Sequence, residues 1–229
     1  MFSESLEGAS TWRYLRKIGG IDALTIVALI SIQMIVFFLW PPPTTVIGWF
    51  TLFQQKPLIG LIDMDLLLVV DYVLMLIVIL SLWSVLRRIN ESFMAIALLL
   101  QIVSVATYFS STVAFEMLSL SNQYTVAITD MERLTSLAAG QAMLATSQGT
   151  AFDVSYILGD IALLTVSYVM LQSRLFSRAI AFVGILTSVL MFIPPSAGTV
   201  GVILSVMSVP PTAIWLFLVG RRLLSSKLV

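Results

Sequence analysis

Two aspartates stand inside long apolar stretches of this chain, Asp71 and Asp160, and tyrosines lie close by at Tyr72, Tyr108 and Tyr156. An ionisable group placed in hydrocarbon costs a few kcal/mol or more, so such a residue marks a candidate site by default. Asp71 comes eight residues after Asp63 and sixteen before Arg87, and Asp160 comes seven after Asp153 and fourteen before Arg174. At about 1.5 Å of rise per residue, both carboxyls fall roughly 10–12 Å below the flanking acids, at one depth. Tyr108, sixteen residues past Ser92, reaches a similar level. Packed together, Asp71, Tyr72, Tyr108, Tyr156 and Asp160 would line one pocket facing the outer side. Neighbouring carboxyls can share a proton, which suits a proton relay or a cation site. The bland alternative is that each aspartate bonds to a hydroxyl on an adjacent helix as structural glue. The order Asp71-Tyr72 and the tetrapeptide Ile157-Leu158-Gly159-Asp160 match neither motif of the intramembrane aspartyl proteases.

Other chemistry is thinly provided for. The chain has no cysteine and no histidine, which removes thiolate nucleophiles, disulfides, His-ligated haem and the usual zinc and copper sites. No glycine-rich phosphate loop or nucleophile elbow occurs, and no lysine falls within a span to form a Schiff base. The reading therefore assigns no catalytic residue, no cofactor and no metal. With 12 basic and 12 acidic residues the net charge is zero, so nothing in the overall charge argues for nucleic acid.

The elements that must position the acids are membrane spans. Of 229 residues, 59% are hydrophobic and 10% charged, with mean hydropathy +1.03. Soluble domains carry about 25% charged residues, and a soluble protein this apolar could not build its surface. The expected fold is all-α: a polytopic membrane bundle in one integral domain, 1–229. Spans are expected at about 21–40, 66–86, 93–118, 154–171, 179–193 and 199–219. Residues 1–20 read as a polar, basic lead before an uncleaved first span in which Gln33 is the strong polar group. The prolines at 41–43 stop that span, because proline lacks an N–H and clashes with the preceding turn. Residues 44–55 carry Trp49, Phe50 and Phe53 and read as an interfacial or re-entrant piece, and 56–65 as loop. Gln101 in the third span and Gln33 read as interhelical hydrogen bonders, and Glu116 as solvated. Pro210 and Pro211 interrupt the last span and form a candidate hinge or a packed kink.

Charge placement gives the orientation. With six spans and the N-terminus inside, Arg13, Arg16, Lys17, Arg87, Arg88, Arg174, Arg178, Arg221, Arg222 and Lys227 all fall on the inner side. Only Lys56 and Arg133 fall outside. That partition follows the excess of Lys and Arg at cytoplasmic ends, so both termini are expected in the cytoplasm, in a cytoplasmic (inner) membrane.

Between the third and fourth spans lies the longest polar interruption. From Ser121 or Asn122 as N-cap, apolar residues recur at helical spacing through Leu144 and predict an amphipathic outer helix over about 121–147. Three roles stay open for it: a connector on the outer leaflet, a lid over an outer cavity, or a docking surface for a partner subunit. The run LSLSNQYTVAITDMERLTSLAAGQAMLATSQGTAFDVSYILG, then VMLQSRLFSRAIAFVGI and SVPPTAIWLFLVGRRL, resembles the prokaryotic membrane proteins grouped as domain of unknown function 4386. The likeness spans roughly residue 65 to the C-terminus. It implies a six-span inner-membrane protein of bacterial or archaeal type, and it brings no activity, cofactor or site residues. The functional expectation is a non-enzymatic membrane protein handling a small solute or a proton. Its alternative is a structural subunit of a larger membrane complex or a homo-oligomer, with an intramembrane enzyme third. The surrounding partner in every case is the lipid bilayer.

Overall fold

A computed structural model describes the backbone of residues 2–225 and the side chains from residue 12 onward. Lys227 lies outside the described residues. Among the described residues every regular element is helical. The helices are α1 (Phe2–Leu39), α2 (Val46–Gln55), α3 (Pro57–Leu61), α4 (Leu67–Leu86), α5 (Glu91–Phe109), α6 (Ala114–Val126), α7 (Asp130–Ser147), α8 (Thr150–Gln172), α9 (Arg178–Met191) and α10 (Thr199–Leu224). A π-helical turn, Ile62–Leu66, joins α3 to α4, and a 3₁₀ turn, Pro195–Ala197, precedes α10.

Six of these helices pack as an up-and-down ring in chain order: α1 against α4, α4 against α5, α5 against α8, α8 against α9, α9 against α10, and α10 back against α1. Across the middle, α4 and α8 touch only lightly. Five stretches are long and apolar enough to cross a membrane: Trp12–Leu39, Pro57–Leu86, Glu91–Val126, Asp130–Gln172 and Thr199–Leu224. The 14 residues of α9 reach about 21 Å at 1.5 Å per residue, short of a hydrocarbon core of about 30 Å.

The two ends of the ring are built differently. At one end lie the N-terminal part of α1 and the basic ends of α4, α8, α9 and α10. Trp12 and Trp83 meet edge to face at 5.7 Å, and the Arg87 guanidinium lies 4.5 Å over the Trp83 ring. The Ser81 hydroxyl donates to the Leu15 carbonyl at 2.9 Å, and Arg222 Nε donates to the Leu175 carbonyl at 2.7 Å. Small residues bring the backbones close here. A Cβ on Gly19 would lie 2.1 Å from Ser81 Oγ, and one on Gly220 would lie 3.0 Å from the Gly20 carbonyl. The main core fills this half, with Ile79, Leu82, Leu86, Met94, Val166, Met170 and Leu216 all buried.

The opposite end carries a second, smaller core made by α2, α6 and the elements around them. Val46, Trp49, Phe50, Phe53, Val113 and Met117 are buried in it. Thr45 caps α2, accepting from the Gly48 N–H at 3.1 Å. Phe50 packs on Tyr124 at 5.5 Å, and Gly140 lets α7 lie against Val46 and Phe50.

Several boundaries differ from those expected. The basic lead is not a separate polar tail: the backbone of α1 is helical from Phe2 onward. Of residues 56–65, all but Lys56 are helical rather than loop. The stretch expected as the third span is not one helix over 93–118: α5 ends at Phe109, where the hydroxyls of Ser111 and Thr112 turn back to the carbonyls of Tyr108 and Phe109. A new helix starts at Ala114 because Asp65 Oδ2, reaching over from the π-helical turn, accepts from the Val113 and Ala114 N–H groups. The outer segment is two helices, not one over 121–147. Ser121 and Asn122 lie within α6 and bond to α2 through Phe50 and Gln54. The cap that starts α7 is Thr129, in a reciprocal capping box with Glu132. The fourth span begins at Thr150, four residues early, and α9 ends at Met191. The last span is not interrupted: α10 runs through Pro210 and Pro211.

Candidate functional site

The half of the ring away from the basic end holds a cavity of about 390 Å³. Its volume lies at the small end of the roughly 300–1,000 Å³ typical of small-molecule sites. The walls come from α1, α4, α5, α8 and α10, with Met191 and Pro195 closing one side. They are mostly apolar, and no lysine or arginine lies on them. The expectation of a polar pocket is corrected in that respect. The reason is packing: the apolar faces of five helices must meet somewhere, and the polar groups form a small patch among them.

That patch contains four of the five residues singled out by depth and spacing. Asp71 and Tyr72 come from α4, and Tyr156 and Asp160 from α8. Asp160 is 2% exposed, whereas Asp71 is half-buried. Tyr108 is not on the wall. It stands behind Tyr72, the two rings stacked at 3.9 Å with 4° between their planes. The Tyr72 hydroxyl lies 3.5 Å from Ser155 Oγ, and Ser104 Oγ donates to the Ser155 carbonyl at 2.7 Å. These contacts tie α4 and α5 to α8 and fix the register that brings both acids to the cavity. Gly159 allows it, since a Cβ there would lie 2.9 Å from Ser104 Oγ.

Gln33 and Gln101 also line the cavity, both buried. Gln33 Nε2 donates to the Ile62 carbonyl at 3.4 Å, joining α1 to the π-helical turn. Its Oε1 is buried without a hydrogen-bond partner, as are Asp71 Oδ1 and Asp160 Oδ1. Buried polar atoms nearly always find partners, so three orphaned acceptors on one cavity wall are an unusual concentration.

The candidate hinge has a chemical consequence here. Pro210 and Pro211 supply no N–H to the carbonyls of Val206 and Met207, one turn back. Val206 lies on the cavity wall. The neighbouring hydroxyls do not compensate, because Ser208 Oγ and Thr212 Oγ1 donate to the carbonyls of Ser205 and Ser208.

Three further acids went unweighed in the sequence. Asp22, within α1, has one buried oxygen with no partner. Asp63 and Asp65 were placed in a loop, yet each is 4% exposed in the π-helical turn. Asp65 caps α6, and both Asp63 oxygens are unpartnered. Glu116 is exposed in the first turn of α6. Among the described residues, no three His, Cys, Asp or Glu side chains gather as metal ligands. Comparison with protein-family models, curated proteins and solved structures returned no match.

Proposed function

We propose that this chain is a six-span protein of a prokaryotic cytoplasmic membrane, with both termini inside, that handles a small solute or a proton in the intramembrane cavity. The observation that carries the reading is that Asp71 and Asp160, from two different helices, both line the one cavity, and each has a buried oxygen without a hydrogen-bond partner. Two acids held in apolar surroundings suit the uptake and release of a cation or proton. The six-helix ring supports six crossings, α9 being a short one. The gathering of Arg87, Arg88, Arg174, Arg178, Arg221 and Arg222 at the end opposite the cavity, with Lys56 and Arg133 elsewhere, supports an inner basic side. The resemblance to domain of unknown function 4386 accords with this topology and leaves the ligand to the cavity itself. No residue is assigned a catalytic role. The test is proton or cation flux in proteoliposomes, comparing wild type with Asp71→Asn and Asp160→Asn. Flux that falls at least about tenfold in either variant is the expected result. Flux unchanged by both variants, or no flux in the wild type, would sink the transport reading.

A second reading, an accessory subunit of a larger membrane complex, is favoured by one feature. Ile128, between α6 and α7, and Met131, in the first turn of α7, are 91% and 72% exposed. Native mass measurement after mild solubilisation decides it: a monomer alone counts against this reading.

A further inference from the structure

The cavity is not sealed. Met34 of α1 and Val206 of α10 both line it, and they are 37% and 60% exposed. At the basic end α1 and α10 are pinned together by Gly20 and Gly220. Toward the other end both helices contribute cavity wall on one side and exposed apolar surface on the other. In a bilayer that surface faces acyl chains, so the mouth between α1 and α10 opens sideways, to lipid.

The charge of the lining is one-sided: two acids and no lysine or arginine. The unpartnered atoms are acceptors: Asp71 Oδ1, Asp160 Oδ1 and Gln33 Oε1. Val206, also on the wall, has a carbonyl that Pro210 denies its helical N–H. No lysine or arginine on the wall supplies hydrogen-bond donors or positive charge. An occupant that completes this site brings both, on a body apolar enough for the rest of the wall.

We propose that the cavity takes a single-chain amphiphile with a primary ammonium head, which reaches it from the membrane between α1 and α10. The inference rests on the reading of the cavity as a ligand site and names the ligand class. The ammonium offers three N–H donors and a positive charge to the acids and the Gln33 carbonyl oxygen. The alkyl chain lies along the apolar wall toward Met34 and Val206. At about 390 Å³ the cavity suits one short chain rather than a two-chain lipid, which commits the source to a free amine and not to an aminophospholipid.

The probe is radiolabelled decylamine, titrated into the full chain in phosphatidylcholine nanodiscs, with empty nanodiscs as the partition blank. Decylamine is expected to bind saturably at one site per chain, at least about tenfold more tightly than decanol, because the charged hydrogen bonds are lost in the alcohol. Decanoate is expected not to compete. The Asp71→Asn/Asp160→Asn double variant should lose the preference for amine over alcohol. Val206→Trp, which fills the mouth and leaves both acids in place, should weaken decylamine binding about tenfold even if the double variant does not fold. Binding should persist in nanodiscs containing phosphatidylethanolamine. Decanol binding as tightly as decylamine, or an amine preference surviving in the double variant, overturns the proposal. So does loss of decylamine binding to phosphatidylethanolamine. Amine binding without proton or cation flux would refute the transport reading and leave this one standing. Acid-dependent flux without amine binding would do the reverse.

Discussion

Asp65 holds a buried side chain against two backbone N–H groups, and replacing it separates two opposing effects. The carboxylate is 4% exposed. One oxygen accepts from the Val113 and Ala114 N–H groups, the latter at 2.8 Å, and the other has no partner. Asp65→Ala leaves two backbone N–H groups without their acceptor, at about 1–3 kcal/mol each. Partial relaxation of the first turn of α6 brings the expected loss to about 3 kcal/mol. Asp65→Asn keeps an acceptor in place but exchanges charge-assisted bonds of about 1.5–3 kcal/mol for neutral ones of about 0.5–1.5, so its loss is expected at about 1–2 kcal/mol. Against this stands the cost of holding a carboxylate with one orphaned oxygen away from water, which can exceed the gain from its bonds. Reversible unfolding in mixed detergent micelles, followed by circular dichroism, ranks the three proteins. Hydrogen exchange over residues 113–118 should show the first turn of α6 opening in the alanine variant. The reasoning is refuted if Asp65→Asn is more stable than wild type, for then desolvation outweighs capping. It is refuted equally if Asp65→Ala lies within about 0.5 kcal/mol of wild type, the range of an ordinary surface change.

Gly184→Ala should cost about 1–3 kcal/mol by overpacking, since its Cβ would lie 2.1 Å from Ser167 Oγ and 2.6 Å from Nε1 of the fully buried Trp215. Adding Ser167→Ala should recover only part of the loss, because the indole remains, and full recovery in the same unfolding assay would show that the indole is free to move. The absence of native cysteine makes orientation directly readable. Arg88→Cys should be protected from a membrane-impermeant maleimide in intact cells and Met131→Cys should be labelled. The reverse pattern would invert the proposed topology.

How much was legible depended on whether the signal was local. Helix type and membrane class were, because they follow from long apolar runs. Asp71 and Asp160 could be paired from spacing alone, since rise per residue and alternating direction put them at a common expected level, and both line one cavity. The break at 110–113 was not, because the acid that starts α6 comes from Asp65, nearly fifty positions earlier in the chain. A pattern of apolar spacing cannot register a cap delivered through space. The start of α7 was locally encoded, in contrast. Thr129 and Glu132 form a Ser/Thr-x-x-Glu capping box, which outranks Ser121 and Asn122 once Glu132 is weighed. Asp22 shows a different failure: next to a basic, polar lead it reads as part of the rim, whereas α1 continues unbroken through it. The acids of the π-helical turn were misjudged for a related reason, since two aspartates after Lys56 and Pro57 look like a hydrated loop.

The position of the cavity follows from where the chain spends its small residues and where it spends its prolines. Gly19, Gly20 and Gly220 bring α1, α4 and α10 together near the basic end, where any Cβ would collide with a neighbour. Pro194 and Pro195 end α9, and the prolines at 41–43 follow α1, both at the opposite end. Close approach of the backbones at the basic end leaves the unfilled space in the other half. The acids stand in that unfilled half, and α6 and α7 contribute nothing to its wall. These two helices pack mainly on each other and on α2, and more lightly on α3, the π-helical turn and α8, and Asp65 couples the first turn of α6 to the helix that carries Asp71. A ligand that draws Asp71 toward the cavity would pull on α4, whose N-terminal extension holds the cap of α6. The outer layer is thus placed to report occupancy rather than to gate it. That distinction is measurable as a change in hydrogen exchange over residues 113–118 when decylamine binds.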